Sequence, residues 1–454
     1  MSEQKTPNSW VISTLGFFMK TGTGSVNPAQ FPKEEFDLYS IPSYDQYVPE
    51  KIFGSEIGSS KKVVVENDVL LSRIVPHIQR SWVVGASQGR RQIGSGEWII
   101  FDGSKISTHF LRYFLLSYNF HQKFMKTISG VGGSLTRANP NQTAEFSFPL
   151  PPLKEQQRIV AKIEELFSEL DKGIESLKAA QQQLKVYRQA VLKYAFEGKL
   201  TNPDVKDDEL PEGWKACKSG DIMDFINSGS TPTSEFLSDN FGDVPFLKVY
   251  NLNFDGTLNH TKNPVFVKQT IHNSKMKRSI CMPNDVLINI VGPPLGKVSI
   301  VSKHYPEWNI NQAIVAFRPN EKIISKFLSY QLQNQVLIQW LEGTSKATAG
   351  QWNVKVSTCR EIPLNVPTSV KEQEKIVIEI ESRLSVCDKI EESIEQGLQQ
   401  AEALRQSILK KAFEGKLVPQ DPNDEPASVL LERIKSERAS FQPEKKTRTK
   451  KSKV

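Results

Sequence analysis

Two stretches of the chain place apolar residues at the spacing of an amphipathic helix. In the first stretch, the apolar or small residues at alternating steps of three and four are Ile163, Leu166, Leu170, Gly173, Leu177, Ala180, Leu184, Tyr187, Val191 and Tyr194. The second stretch repeats this spacing with Ile380, Cys387, Ile390, Ile394, Ala401, Leu404 and Ile408. Arg383 and Gly397 interrupt the second stripe. Because Glu, Lys and Gln lie between the stripe positions, the pattern predicts two long helices that pair as a coiled coil.

Both stretches are bounded by residues that begin or end helices. Prolines at 149, 151 and 152 precede the first stretch. The sequence "FEGKL" closes each stretch and places Gly198 and Gly415 just beyond it. Glycine commonly follows the last turn of a helix because it adopts the left-handed conformation without strain. We therefore predict that both helices end at "FEGKL".

The hexamer "AFEGKL" occurs at 195–200 and again 217 positions later, at 412–417. Other matches keep the same offset: "NDVL" at 67–70 and 284–287, Phe-Leu at 110–111 and 327–328, "KEQ" at 154–156 and 371–373, and Ile-Val at 159–160 and 376–377. Two unrelated amphipathic helices would not share a register and an ending. The chain is therefore predicted to be a tandem duplication, in which each half is a variable segment followed by a better-preserved helix.

The duplication predicts an arrangement of the helices. About ten residues separate the end of the first helix from "LPEGW" at 210–214, so this helix should end beside the second variable segment. Two duplicated halves that pair their apolar stripes most simply form a pseudo-twofold, which makes the helices antiparallel. About 38 helical residues at about 1.5 Å each would form a rod of roughly 55 Å with one globular segment at each end.

The formal charge of +7 is unevenly distributed along the chain. By segment it is +3 over 1–148, −1 over 149–210, +4 over 211–362, −4 over 363–441 and +5 over 442–454. Localised basic charge is typical of proteins that contact nucleic-acid phosphates. The tail "EKKTRTKKSKV" (444–454) is either a nonspecific DNA-attracting segment or a solubility tail.

The remaining composition predicts a cytoplasmic protein. The longest apolar run, "FLRYFLLSYNF" at 110–120, is short and contains Arg112, so we expect no membrane span. The first residues lack the features of an export signal. The cysteines show no paired spacing and are expected to be reduced thiols: Cys217, Cys281, Cys359 and Cys387.

No catalytic motif is evident in the sequence. "GPPLGKVS" (292–299) has three residues between its glycines and Val298 after the lysine, so it fails the phosphate-loop pattern and is predicted to be a turn between strands. "EGK" at 197–199 and 414–416 offers the Glu-x-Lys of a nuclease, but both copies fall at predicted helix ends. The six histidines have no metal-binding spacing. Neither an adenine-methylation motif nor a glycine-rich methyl-donor loop occurs. We expect no active site and no metal in this chain.

Several motifs resemble those of one known family. The relevant sequences are "PLPPLKEQQRIVAKIEELF" (149–167), "YRQAVLKYAFEGKL" (187–200), "KEQEKIV" (371–377), "LRQSILKKAFEGKLVPQDPNDEPASVLLERIKSER" (404–438), "LPEGW" and "NSGSTP" (227–232). Together they are similar to the DNA-specificity subunits of type I restriction–modification systems, over nearly the whole chain. The N-terminus departs from the family, since it has "PNSW" and "KTGTGS" where "LPEGW" and "SGSTP" would stand.

This resemblance implies an α+β fold with two target-recognition domains of mixed α/β structure, separated by two antiparallel conserved helices. Each domain would recognise one half of an asymmetric, bipartite double-stranded DNA target, and the helices would set the spacer. Two methylation subunits would dock on this frame, and restriction subunits would join them. The chain itself would be non-catalytic and hold no cofactor, since S-adenosylmethionine, ATP and Mg²⁺ would bind the partner subunits.

The predicted boundaries follow from the repeat and the resemblance. They are 1–148 for the first recognition segment, 149–200 for the first helical region, 201–210 for a linker, 211–362 for the second recognition segment, 363–417 for the second helical region and 418–454 for a C-terminal segment with the basic tail.

Basic and amide side chains on predicted loops are the candidate DNA contacts, because Arg pairs well with guanine and Asn or Gln with adenine. In the first segment they are Arg73, His77, Arg80, Gln88, Arg90 and Arg91. In the second they are Lys248, Asn251, Asn289, Lys297, Asn309, Asn311 and Gln312. Candidates for phosphate contacts are Ser134, Arg137, Ser230, Thr231, Thr344 and Lys346.

Two other functions are compatible with parts of the pattern. A coiled-coil scaffold that binds only proteins would share the helices but would show no salt-dependent, sequence-selective DNA binding. A self-contained enzyme that fuses recognition with methylation or cleavage would need the motifs that are missing. The target bases do not follow from the sequence, because recognition domains with one fold bind different sites through a few loop side chains.

Overall fold

The computed structural model describes residues 6–20, 22, 24–129, 136–345, 347–348 and 351–440. The chain forms two compact units. The first unit is Met1–Ser176 with Gly397–Val454, and the second is Leu177–Gln396. Each unit therefore combines one globular segment with part of each long helix.

Short helices lie among the strands of each globular segment, and one long helix follows each segment. In chain order they are α1 Thr108–Leu115, α2 Tyr118–Met125, α3 Pro140–Ala144, α4 Leu153–Phe196, α5 Gln269–His272, α6 Ser325–Leu332, α7 Gln335–Gly343, α8 Val356–Arg360, α9 Val370–Phe413 and α10 Ala427–Ser440. None of the helices in this described part of the chain is both long and apolar enough to span a membrane.

Antiparallel and mixed sheets form the globular part of the first unit. Its strands are β1 Val11–Thr14, β2 Ser25–Val26, β3 Glu35–Tyr39, β4 Glu50–Phe53, β5 Lys61–Val63, β6 Asp68–Ser72, β7 Ser81–Val83, β8 Arg91–Gly94, β9 Trp98–Asp102, β10 Ile128–Ser129, β11 Arg137–Ala138 and β12 Ser147–Leu150. The larger sheets have the orders β2-β5-β8-β3-β4 and β7-β6-β9, and β1 pairs with β12.

The second unit contains sheets of the same kinds. Its strands are β13 Trp214–Lys218, β14 Met223–Ser228, β15 Leu237–Asp239, β16 Val244–Leu247, β17 Val265–Val267, β18 Ile280–Cys281, β19 Val286–Asn289, β20 Val291–Gly292, β21 Val298–Ile300, β22 Trp308–Ile310, β23 Ile314–Pro319, β24 Ala347–Thr348, β25 Gln351–Asn353 and β26 Pro363–Pro367. The larger sheets have the orders β15-β17-β16-β22-β18 and β14-β23-β19-β21.

The two units share one topology. The order β5-β8-β3-β4 in the first matches β18-β22-β16-β17 in the second, and β7-β6-β9 matches β21-β19-β23. Strand β3 is parallel to β8, as β16 is to β22. Helices α4 and α9 begin 217 positions apart, which is also the spacing between α1 and α6. The predicted α+β fold and tandem duplication are confirmed.

Helices α4 and α9 each contain 44 residues, so each is about 66 Å long at about 1.5 Å per residue. They end where the sequence predicts. Gly198 and Gly415 follow them with φ of 79° and 70°. The N–H of Lys199 donates to the Tyr194 carbonyl at 3.0 Å, and that of Lys416 donates to the Lys411 carbonyl at 2.9 Å. This pattern closes the last turn of a helix around a left-handed glycine.

Ion pairs within each unit show that the two helices run antiparallel. In the first unit, Arg405 near the end of α9 pairs with Asp171 of α4. In the second unit, Arg188 near the end of α4 lies 2.6 Å from Asp388 and 3.0 Å from Glu391 of α9. The predicted antiparallel pairing is confirmed within each unit.

Several positions of the predicted apolar stripe are wrong by one residue, whereas others, such as Leu166 and Ala180, are half-buried as predicted. The helix faces that are buried or half-buried contain Ile174, Gln181, Arg188 and Ala195 in α4 and Leu384, Glu391, Leu398 and Arg405 in α9. Tyr187, Tyr194, Ile390 and Leu404 instead have 43–53% of their surface exposed. Neighbouring helix positions lie about 100° apart, so two adjacent rows both fit a three-four spacing. The contacts that each helix makes in its unit decide which row is buried.

The repeated "KEQ" motif holds each globular segment against its helix. In the first unit, Trp10 Nε1 donates to Glu155 Oε1 at 2.9 Å. In the second, Trp214 Nε1 donates to Glu372 Oε1 at 2.8 Å. The following glutamine accepts a backbone N–H at the start of a helix in both units, from Ser107 to Gln156 and from Ile324 to Gln373.

This pairing resolves the apparent departure at the N-terminus. Trp10 of "PNSW" makes the contact that Trp214 of "LPEGW" makes in the second unit. The prolines also correspond, since Pro7 packs on Gly415 as Pro211 packs on Gly198. The two motifs are therefore structural equivalents, although they share few letters.

We expect Gly198→Ala to destabilise the second unit by about 2–4 kcal/mol. A Cβ at this position would lie 2.2 Å from Pro211 Cγ, and the φ of 79° is unfavourable for alanine. Urea unfolding would measure the change. Gly173→Ala is the control, because Gly173 lies in α4 with no atom near its Cβ position, and it should stabilise the protein by up to about 1 kcal/mol. Equal effects of the two substitutions would contradict the prediction.

Candidate nucleic-acid interface

Strand ends in the second unit bring several loops to one edge. Because β16 and β22 are parallel, with Phe246 opposite Asn309, Lys248 and Asn311 both follow strands that end at this edge. Strand β18 is antiparallel to β22, so the loop 273–279 that precedes it lies at the same end. Five stretches of sequence reach this edge: 229–233, 248–251, 273–279, 290–297 and 311–313. We call it the loop edge of the second unit.

The loop of "SGSTP" lies directly on the end of β22. A Cβ on Gly229 would come within 1.9 Å of the Ile310 carbonyl oxygen, so only glycine fits. The Ser230 N–H donates to the same carbonyl at 3.2 Å. The exposed Thr231 hydroxyl donates to the side-chain carbonyl of Gln312. Ser230, Thr231 and Gln312 are therefore neighbours at the loop edge.

Asn289 organises the turn that contains "GPPLGKVS". Its Nδ2 donates to the carbonyls of Val291 at 3.1 Å and Pro294 at 2.9 Å, and its Oδ1 accepts from the Lys297 N–H at 2.8 Å. The segment connects β20 with β21, as predicted for a turn between strands. The side chain of Asn289 is only 2% exposed, and its bonds are made to the loop itself.

Asn251 and Asn309 are also buried, with 1% and 0% exposure. Asn251 accepts from the Lys248 N–H at 2.8 Å and donates to the Asn259 carbonyl at 2.9 Å. Asn309 is bonded to His272 and Ser279 inside the unit. In this structure these asparagines and Asn289 differ from the expectation for base contacts, because burial keeps their amides from DNA. They shape the loops that carry other side chains.

The side chains that remain accessible at the loop edge combine positive charge, amides and aromatic rings. Lys248 Nζ lies 6.0 Å from the ring centre of Tyr250, and Lys297 Nζ lies 5.7 Å from that of Phe254. Both rings are exposed, by 42% and 53%. Sequence reasoning missed them, although "VYNLNF" (249–254) interleaves aromatic and polar residues beside a lysine. Lysines contact phosphates, while rings stack on bases or sugars.

In the first unit, two predicted arginines converge on one carboxylate. Arg137 approaches Glu97 at 2.9 Å and Arg73 approaches it at 3.1 Å. The hydrogen bond from Arg137, with the charges of both arginines, holds the pKa of Glu97 below its ordinary value. The cluster keeps a net positive charge at neutral pH. It lies where β6 ends and β9 begins, with Ser72 opposite Trp98.

The loop after β6 carries two further candidates. His77 is exposed, whereas Arg80 is partly buried and lies 4.0 Å from Asp45. The Ser72 N–H donates to the Arg80 carbonyl at 3.0 Å, which returns the loop to the same strand end. Arg73, His77, Arg80 and Arg137 therefore belong to one edge of the first unit.

The chain just before and at the start of strand β8 contains Gln88, Arg90 and Arg91, whereas the cluster around Glu97 lies beyond the end of this strand. Arg90 is 2.7 Å from Asp37, and Arg91 donates twice to Glu34, at 2.6 and 2.8 Å. Arg91 also stacks 4.3 Å above the ring of Phe31. The structure thus separates these residues from Arg73 and Arg137, and internal carboxylates occupy both guanidinium groups. We leave them out of the interface.

Three predicted phosphate contacts remain to be placed. The Thr344 hydroxyl donates to the carbonyls of Trp340 at 2.9 Å and Leu341 at 3.2 Å, within the end of α7. Ser134 and Lys346 lie outside the described residues, as does the basic tail. Among the residues that are described, no group of three or more His, Cys, Asp and Glu side chains could hold a metal ion.

Comparison with known proteins identifies the family. The family model described as the type I restriction modification DNA specificity domain matches residues 29–181 and 211–400. The chain is 33% identical over 328 residues to the type I restriction enzyme EcoBI specificity subunit of Escherichia coli, which covers 66% of each protein. It is 24% identical to the EcoKI specificity subunit of Escherichia coli K12, over 99% of this chain and 100% of that one.

Solved structures agree at the level of the fold. The HsdS subunit from Thermoanaerobacter tengcongensis matches with a TM-score of 0.56 and 22% identity, over 91% of this chain and 98% of that chain. A chain from a study of complex assembly in the type I R-M system matches with a TM-score of 0.74 at 22% identity, over 91% and 100% of the two chains. Since the family model covers both repeats, the chain belongs to the family of type I restriction–modification DNA specificity subunits.

Proposed function

We propose that each unit of this chain binds one half of a bipartite double-stranded DNA target through its loop edge. The observation that carries this proposal is the convergence of five separate loops of the second unit at one edge, with lysines, amides and exposed rings together. Asn311 and Gln312 suit adenine, and Lys248 and Lys297 suit phosphates. The chain supplies recognition, while methyl transfer and cleavage belong to its partner subunits.

Apolar residues on the long helices support docking of methylation subunits. In the second unit, the exposed members are Val186, Tyr187, Tyr194, Ile378, Val386 and Ile390. They lie outside the buried seam of the helix pair, so pairing of the helices does not cover them. Several exposed apolar side chains on one pair of helices indicate a surface that binds another protein. Leu404 of the first unit occupies the repeat position of Tyr187, which favours a second, related docking face.

We therefore propose an assembly with two methylation subunits, which restriction subunits then join. S-adenosylmethionine, ATP and Mg²⁺ would bind those partners and not this chain. The assembly would act in the cytoplasm, where the free thiols of all four cysteines would stay reduced.

The decisive experiment combines the chain with its methylation subunits. We expect a salt-dependent mobility shift on one bipartite sequence, and methylation at that same sequence in a host that carries the system. Purified chain without partners should transfer no methyl group from a labelled donor. A complex that binds proteins but shows no sequence preference on DNA would contradict the proposal and favour a protein-binding scaffold.

At the loop edge, Gln312→Ala and Lys297→Ala should have different effects. Loss of an amide that contacts a base should cost about 1–3 kcal/mol of discrimination at one position. Loss of a phosphate contact should weaken binding about equally on all sequences and lower the slope of log K against log salt by about 0.9. Competition binding with single-base variants of the target measures both. The same pattern of effects from the two substitutions would contradict these roles.

The docking proposal predicts that Val186→Glu with Ile390→Glu prevents assembly without unfolding the chain. Both side chains are exposed, so the free chain should keep its thermal midpoint, while charge in an apolar contact should reduce recovery of methylation subunit at least tenfold. Phe241→Glu is the matched control, because Phe241 is 79% exposed in the turn between β15 and β16 and belongs to neither long helix. Unchanged assembly of the double variant would show that this face is not the docking surface.

A further inference from the structure

A basic loop at the edge of the second unit was not among the predicted contacts. Residues 273–278 have the sequence "NSKMKR", and Lys275, Lys277 and Arg278 are exposed. Among the described residues, no carboxylate forms an ion pair with any of these three. Their positive charge is therefore directed to solvent, unlike that of Arg90 and Arg91, which internal carboxylates neutralise.

A buried polar network holds this loop in place. Met276 is 1% exposed and anchors its centre, while His272, Ser279 and Asn309 are fully buried. The Ser279 hydroxyl donates to Asn309 Oδ1 at 2.7 Å. Asn309 Nδ2 donates to His272 Nδ1 at 3.0 Å and lies 3.3 Å from the Met276 carbonyl.

The histidine also connects the network to a carboxylate. Nδ1 of His272 lies 3.0 Å from Asn309 Nδ2, and its Nε2 lies 3.0 Å from Glu307 Oε2. Each buried polar side chain in the group thus has a partner, as burial requires. Such a network fixes the backbone of the loop and leaves its three cationic side chains exposed.

The sheet places this loop beside the residues proposed to contact bases. Strand β18 begins directly after the loop and pairs with β22, with Ile280 opposite Asn309. Two residues beyond Asn309, the chain leaves β22 at Asn311 and Gln312. The basic loop and the amides therefore flank the same strand end.

The first unit has basic residues at the equivalent place. Strand β5 pairs antiparallel with β8, as β18 does with β22. Strand β5 begins with Lys61 and Lys62. Lys61 precedes Arg278 by 217 positions, which is the repeat offset. The Lys61 ammonium bonds the Ser59 hydroxyl at 2.6 Å, and within the described ranges it forms no ion pair with a carboxylate. Positive charge next to this strand is thus common to both units, although the loops differ in sequence.

We propose that Lys275, Lys277 and Arg278 form a phosphate-binding loop that grips the DNA backbone beside the second half-site, with Asn309 as its positioning residue. This rests on the proposed function of the loop edge. Backbone contacts of this kind set the register of a protein on the duplex without selecting bases. Asn309 then contributes to DNA binding through the loop and not by touching a base.

The test is the triple variant K275A/K277A/R278A in the complex with methylation subunits. Loss of three phosphate contacts should reduce the slope of log K against log salt by up to about 2.7 on B-DNA. Preference among single-base variants of the target should stay unchanged. The control K215A/K303A/K322A removes the same charge from exposed lysines elsewhere in the second unit and should leave the slope as in the wild type.

The outcomes separate this proposal from the function on which it rests. If the triple variant and the control have equal slopes while the wild type binds selectively, the loop does not contact phosphate. If the triple variant loses methylation subunit in the absence of DNA, the loop is a protein contact, which also overturns the proposal. A wild-type complex without sequence-selective binding would instead contradict the proposed function.

A double-mutant cycle tests the positioning role. Asn309→Ala should lower the salt slope in the wild-type background but not in the triple variant, because its effect passes through the loop. A purely structural role would weaken binding equally in both backgrounds. If Asn309→Ala does not fold, Ser279→Ala removes one bond of the same network and should show the same dependence on background.

Discussion

Replacing residues 211–362 with the equivalent segment of a related specificity subunit should exchange one half of the DNA target and keep the other half. Each unit has its own hydrophobic core, and the cluster around Phe317 and Phe327 draws only on residues of the second unit. The loop edge of that unit is built entirely from residues inside the exchanged segment. Recognition of the second half-site should therefore move with the segment as a whole.

The exchange requires that the hydrogen bonds between the globular segment and the long helices are kept. Trp214 must still donate to Glu372, and the Ile324 N–H must still reach Gln373. A donor segment that carries the tryptophan of "LPEGW" meets the first condition. Methylome sequencing of a host carrying the hybrid measures both half-sites at once.

The reciprocal exchange of residues 1–148 is the matched control and should alter the other half-site. There the donor must supply a tryptophan for Glu155, as Trp10 does. A hybrid in which both halves changed, or an active hybrid in which neither changed, would show that the units do not recognise DNA separately.

Inserting seven residues into each of the two long helices should lengthen the DNA spacer between the half-sites by up to about three base pairs. Seven residues are close to two helical turns and preserve the seam, and they add about 10 Å of helix. Base pairs stack at about 3.4 Å. Suitable positions are after Ser176 in α4 and before Gly397 in α9, where the division between the two units crosses the helices.

Rotation of the duplex limits how active such variants should be. Three additional base pairs turn the second half-site by roughly 100° at about 10.5 pairs per turn. Shorter changes at these positions should therefore be tolerated better, with the spacer shifting by one pair. Methylome sequencing gives the spacer length directly.

Insertion in one helix alone is the control, because it makes the two helices unequal in length at the division between the units, while pairs within a unit, such as Arg188 with Asp388, keep their register. We expect that variant to lose assembly. An active variant with both insertions and an unchanged spacer would show that the helices do not set the distance between half-sites.

The sequence by itself determined the duplication, the two long helices and their ends. Those features depend on local rules, namely a three-four apolar spacing, prolines before a helix and a left-handed glycine after it. The same helix pattern and helix end occur again 217 positions later, which supports both assignments. The longer motifs that contain "FEGKL" and "KEQ", together with "LPEGW" and "NSGSTP", predicted the family, and the family model confirms it.

Only the tertiary structure decided which side chains are available. Arg90 and Arg91 have the composition of DNA contacts, but carboxylates more than fifty positions earlier in the chain neutralise them. Asn309 was a candidate for a base contact, yet it is buried beneath a loop that the sequence analysis did not single out. The positions of Tyr187 and Arg188 both fit the three-four spacing of the helix. Packing within the unit buries the helix face that contains Arg188 and leaves Tyr187 exposed. Exposure and ion pairing depend on neighbours that are distant in sequence, and no local pattern contains them.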